Sequence, residues 1–199
     1  MSVGSEAPYG VRRGQTYFDG RTPDATEGLS LEGLEGEFND PNLATAGVKG
    51  PRTNQKVYAK LMRNVSGGAL LPKRVVKCYL SGSSNEILGQ FDGYATTPGT
   101  DVIAGVLDEW LPAAGCPDDD ICWVVFRGPS KVTSAAAGDT TIGIGNRVVP
   151  AADGKVVDQD VTVAAGSATF AQIHGEVGKA ITAVAAINTD FLLDVDISK

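Results

Sequence analysis

Histidine is almost absent from this 199-residue chain, which has one, and cysteine and methionine are scarce at three and two. The single histidine, His174, has no serine or cysteine nucleophile in a recognisable motif near it, so nucleophile–base catalysis has no evident seat. Cys78, Cys116 and Cys122 leave at least one thiol unpaired, which reads as buried small hydrophobes in a reducing compartment rather than a disulfide framework. No run approaches the ~18 continuous apolar residues of a membrane-spanning helix. Met1–Gly10 is polar and lacks the apolar segment of a secretory leader, so a soluble protein made in a cytoplasm is expected. Basic residues are also few: 17 Lys and Arg stand against 24 Asp and Glu, a formal net charge of −7. That balance argues against nucleic acid, whose phosphates require a basic face, and against an anionic membrane surface.

Metal and cofactor signatures are equally thin. Cys116-Pro-Asp-Asp-Asp-Ile-Cys122 separates two thiols by six positions, wider than zinc-site spacing, and no second ligand pair accompanies them. Asp118, Asp119 and Asp120 are consecutive and lack the alternate-residue spacing of a calcium loop. Gly143-Ile-Gly-Asn-Arg-Val148 begins like a dinucleotide fingerprint but has no third glycine and no βαβ context. Asn64-Val-Ser66 matches a glycosylation acceptor, without consequence in a protein that is never secreted. No cofactor and no metal are expected, and an enzyme is not.

What the chain does contain is a change of texture near residue 57. Residues 1–56 are rich in Gly, Pro, Asn and Asp, with no apolar pattern at helix or strand period. Gly28-Leu-Ser-Leu-Glu-Gly-Leu-Glu-Gly-Glu-Phe38 places three interior glycines where a helix would lose about 1 kcal/mol for each. An extended N-terminal arm over 1–56, ordered by a partner and anchored at intervals by Tyr9, Tyr17, Phe18 and Phe38, is therefore expected, with a β body over 57–199. That body is large enough to bury a core without disulfide or metal.

Within the body, Val57–Arg63, Val75–Leu80, Gly89–Tyr94 and Thr100–Leu107 read as strands. Ile121–Arg127 is continuous in apolar residues and predicts burial on both faces. Asp153-Gly154 predicts a positive-φ turn between Arg147–Val149 and Lys155–Val157. Ser167 could cap a short helix carrying Phe170, Ile173 and Val177, and Ala180–Ala186 with Phe191–Ile197 predicts a terminal hairpin around Asn188-Thr-Asp190. Many short strands with little helix predict a mainly β fold, a small barrel or sandwich.

The succession Leu61-Met-Arg-Asn-Val-Ser-Gly-Gly-Ala-Leu-Leu71, Gly105-Val-Leu-Asp-Glu-Trp-Leu-Pro-Ala-Ala-Gly115, Cys122-Trp-Val-Val-Phe-Arg-Gly-Pro129, Gly138-Asp-Thr-Thr-Ile-Gly-Ile-Gly-Asn-Arg-Val148 and Gly178-Lys-Ala-Ile181 resembles the capsid decoration (cement) proteins of tailed bacteriophages. The resemblance covers about Val57 to Lys199 and rests on turn-and-strand signatures. It implies a non-enzymatic homotrimer on the outer surface of the virion capsid, seated between major capsid protein subunits and bracing the expanded shell. On that reading Tyr9, Tyr17, Phe18 and Phe38 are the aromatic anchors of the interface, because buried aromatics dominate interface energetics. Arg12, Arg13 and Arg21 are forked donors for carboxylates of the shell. The alternatives are a tail, baseplate or spike component, with Trp110, Trp123, Tyr79 and Tyr94 as a stacking platform for glycans, and a small hydrolase with an unrecognised site.

Overall fold

The computed structural model describes residues 11–18, 31–41, 51–80, 86–135, 141–159 and 175–197. Ten strands lie within them: β1 (Glu35–Pro41), β2 (Pro51–Asn64), β3 (Val75–Leu80), β4 (Glu86–Tyr94), β5 (Ile103–Leu107), β6 (Ile121–Thr133), β7 (Arg147–Pro150), β8 (Val156–Asp158), β9 (Gly178–Ala180) and β10 (Asp190–Asp196). They form one sheet in the order β1-β2-β4-β3-β5-β6-β10-β9-β7-β8, and β2 also pairs with β6. That extra pairing closes β2, β4, β3, β5 and β6 into a ring, so the fold is mainly β, as its composition predicts, with a small barrel at its centre.

β6 makes this closure possible because its 13 residues serve three partners. Along one edge Ile121–Arg127 pairs with Arg63–Tyr58 of β2. Along the other, Val124 and Val125 meet β5, and Arg127–Thr133 continues against Asp196–Asp190 of β10. Both faces of its first half are buried, as its unbroken apolar pattern predicts. Cys122 and Val124 join Met62, Val76, Cys78, Phe91, Ala104 and Leu107, so all five ring strands contribute to this cluster. Ile121, Trp123 and Val125 face the other way and join residues from β1 and β10, which lie outside the ring. The first cluster is therefore the ring's interior. The second is the layer packed over it.

Two close approaches exclude any side chain. A Cβ on Gly105 (φ 153°) would lie 2.4 Å from the Val125 carbonyl oxygen, and one on Gly128 (φ 92°) would lie 2.1 Å from that of Lys56. Both glycines sit where β6 crosses a neighbour. Gly128→Ala is expected to destabilise the fold by about 2–4 kcal/mol, through left-handed strain and the backbone clash together. Urea unfolding reads this directly; an unchanged midpoint would show that β2 can move away without loss.

Several expectations need correction. The division at residue 57 falls inside β2, which begins at Pro51. β1 lies wholly within the expected arm, yet it pairs with β2 from Glu35↔Lys60 to Pro41↔Pro51. Val11 and Phe38 are core residues, so these parts of the arm fold on the body itself. The expected strand at Ala180–Ala186 is a three-residue strand that starts earlier, and β10 meets it at Leu193↔Ala180. The intervening loop is drawn away from hairpin pairing by the Ile142↔Val184 bridge and by Ser134 Oγ, which donates to the Ala186 carbonyl at 2.7 Å. Thr100–Leu107 is a strand only from Ile103. The turn at Asp153 (φ 58°) and Gly154 (φ 65°) is as predicted, linking β7 and β8. The helix expected from Ser167, and His174, lie outside the described residues.

Candidate interaction surface

Residues 11–18 cross the body as a strap whose underside is fastened at three kinds of contact. The Val11 carbonyl accepts a 2.9 Å hydrogen bond from Trp123 Nε1. Arg13 donates through Nε and Nη2 to Asp108 Oδ1 at 3.0 and 2.6 Å, and the Gly14 amide donates to Asp108 Oδ2 at 2.6 Å. Gly14 (φ 80°) presses on Trp110, where a Cβ would come within 2.8 Å of the carbonyl oxygen. The third fastening is a reciprocal main-chain bridge: Tyr17 N to Ile121 O at 2.9 Å, and Ile121 N to Tyr17 O at 2.8 Å.

Asp108 and its neighbour Glu109 lie just past the end of β5, and each receives an arginine from the N-terminal third. Arg52 donates Nη1 and Nη2 to Glu109 at 2.9 and 2.7 Å, and Nη2 and Nε to Asp40 at 2.8 and 3.2 Å. Burial by itself would lower the Arg52 pKa, but the hydrogen bonds it donates to Glu109 and Asp40 outweigh it and raise the group further. Asp40 and Asp108 are fully buried, so each depends on its arginine for compensation. None of Asp40, Arg52, Asp108 and Glu109 was a sequence candidate. The only local hint is a pair of carboxylates directly after a buried strand.

The sequence candidates divide sharply. Phe38 is 6% exposed and packs edge-on against Trp123, with centroids 4.9 Å apart and planes at 79°. Arg13 is taken up by Asp108, with its guanidinium carbon 5.8 Å from the Phe38 centroid. These two hold the fold together and are not free to anchor a partner. Arg12 is exposed, and Tyr17 and Phe18 stand 45% and 61% exposed side by side. Tyr9 and Arg21 lie outside the described residues.

The remaining motifs are absorbed locally. Cys78, Cys116 and Cys122 are buried, and burial together with a hydrogen bond to Cys116 pushes the Cys122 thiol well up. Asp118 Oδ1 accepts from the Gly67 amide at 2.8 Å, and the Asp119 carbonyl accepts from Arg63 Nη1 at 2.6 Å. Asn64 Nδ2 donates to the carbonyls of Gly68, Cys116 and Pro117, so this side chain ties two loops together. Among the described residues no group of three or more His, Cys, Asp or Glu side chains is placed to hold a metal. Of the four aromatics proposed for glycan stacking, Trp123 is fully buried and Tyr94 spends its hydroxyl accepting from the Leu71 amide. They form no common exposed platform.

No protein-family model matches the chain, and no curated protein matches it. Among solved structures the chain is similar to the N base of head fiber gp8.5 in bacteriophage phi29. The match has 14% sequence identity and a TM-score of 0.42, and covers 71% of this chain and 95% of that one. A likeness at that level establishes neither a common fold nor a common function.

Proposed function

We propose that this protein is a structural component of a tailed-phage head: a decoration protein that docks on the outer capsid surface between major capsid subunits and stabilises the expanded shell as a homotrimer. The observation that carries a docking role is the Tyr17–Phe18 pair. Two adjacent aromatics are left 45% and 61% exposed although the Tyr17 backbone is bridged to the fully buried Ile121 of β6. Exposed aromatic area costs solvation, and the strap beneath it is already ordered. A partner that covers the pair gains apolar burial with little further loss of chain entropy. The resemblance in turn-and-strand signatures adds the phage-head assignment.

Purified protein mixed with expanded heads of its own phage and pelleted gives the test. The unaltered protein should co-sediment at saturable occupancy. Tyr17→Ala with Phe18→Ala should weaken binding about 5–1000-fold, corresponding to the ~1–4 kcal/mol that such anchors contribute. Its melting temperature should not change, since neither side chain is buried. Equal occupancy by the double variant would remove the assignment of the anchors. Attachment at the tail tip, with bare heads, would overturn decoration itself.

A further inference from the structure

A pocket of about 530 Å³ opens at one end of the ring. Every ring strand gives it a residue: Met62 from β2, Cys78 from β3, Gly89 from β4, Ala104 from β5 and Phe126 from β6. Met62, Cys78 and Ala104 belong to the ring's interior cluster yet keep 3–6% exposure, whereas Val76, Phe91, Leu107, Cys122 and Val124 keep none. The pocket therefore reaches the apolar interior, and these three residues are its floor. The segment 32–35 is pinned beside the mouth by its backbone. The Gly33 amide donates to the Leu61 carbonyl at 2.8 Å, and the Leu61 amide donates to that of Leu34 at 2.9 Å. Gly89 (φ 81°) lies so near that a Cβ there would be 2.5 Å from the Gly33 nitrogen. The cavity is thus preformed, and its size falls in the ~300–1,000 Å³ range of small-molecule sites, which include barrel mouths.

The charges at the mouth decide what can enter. Glu32 accepts from Arg63 Nε and, at 3.3 Å, from Gln90 Nε2. Lys60 Nζ lies 3.4 Å from Glu35 Oε1 and 5.2 Å from the centroid of the Phe126 ring. An entering anion would meet two glutamates, and Lys60, the cation lining the pocket, is already paired. A cation would find both glutamates engaged and the Phe126 face already taken by Lys60. Either would lose water to an apolar floor without gaining a free counter-charge. An uncharged apolar molecule carries no such cost and gains burial against Met62, Ala104 and Phe126. We infer that this ring mouth binds a small uncharged apolar molecule, an aromatic ring or a short alkyl chain. The inference goes beyond docking on a head: the mouth opens on the ring's interior, whereas the strap lies against Trp123 in the covering layer.

The test follows the Met62 methyl of the full chain by ¹H–¹³C NMR, with no heads present. Three probes share one ring and differ in charge: toluene, benzoate and benzylammonium. Toluene should shift the methyl signal saturably and show cross-relaxation with it. Benzoate and benzylammonium should bind about tenfold more weakly, or less tightly still. Ala104→Leu fills the floor and should weaken toluene by about tenfold. Leu34→Glu brings a charge into the mouth from a half-exposed position and should weaken it similarly, which keeps the test decisive if Ala104→Leu does not fold. The inference fails if toluene gives no saturable shift up to its solubility, or if either charged probe binds as tightly. It fails equally if a folded Ala104→Leu or Leu34→Glu variant binds toluene undiminished.

Discussion

Asp108→Ala is expected to lower the unfolding free energy by about 3–5 kcal/mol, the usual cost of breaking a buried pair from one side. The carboxylate is fully buried and accepts three hydrogen bonds, two from Arg13 and one from the Gly14 amide. Its removal leaves a guanidinium only 8% exposed with no counter-charge. The measurement is urea denaturation followed by tryptophan fluorescence. A companion measurement separates local from global effects: the Tyr17 amide should exchange hydrogen faster in the variant, because the strap loses its central fastening. The double replacement Arg13→Met with Asp108→Leu should recover much of the loss, since apolar packing can substitute for a buried ion pair. If Asp108→Ala costs less than about 1 kcal/mol, as an exposed pair would, the strap is held by Val11 and Tyr17 alone.

The second large effect belongs to Trp123. Trp123→Ala is expected to cost about 3–5 kcal/mol, through lost burial and the cavity left behind. Three features of this site resist collapse. The ring meets the edge of Phe38, its Nε1 satisfies the Val11 carbonyl, and it lies over Gly36, where a Cβ would come within 2.7 Å of its Cη2. Trp123→Phe should cost less, because the volume is partly kept, yet it still orphans the Val11 carbonyl. Calorimetric melting of the two variants checks the ranking. Equal losses would assign the whole effect to the hydrogen bond.

Much of the strand pattern was legible from side-chain type. Ile121–Val125 announces a strand buried on both faces because a short continuous apolar run rich in β-branched and aromatic residues favours a strand over a helix. Asp153-Gly154 announces its turn because those residues tolerate positive φ cheaply. β1 was not legible. Glu-Gly-Glu-Phe-Asn-Asp-Pro has weak strand preference, and it is a strand because β2 offers a hydrogen-bonding edge and Trp123 a surface for Phe38. The same reason explains the candidate surface. Residue type ranks the aromatics above the arginines as anchors but cannot divide either group, because local sequence does not tell a side chain that faces the core from one that faces water.

Residue type and near-neighbour order are enough to make the chain mainly β and acidic, and to leave it without a recognisable catalytic or metal motif. Where the domain begins, how β2 and β6 close the ring, and which N-terminal residues remain available depend on contacts between distant segments. Arg13 meets Asp108 across 95 positions and Arg52 meets Glu109 across 57. Pairings of that reach depend on loop closure and on the burial of both partners at once. No local periodicity records them. Phe38 and Phe18 therefore look equivalent in the chain, yet one is 6% exposed and the other 61%.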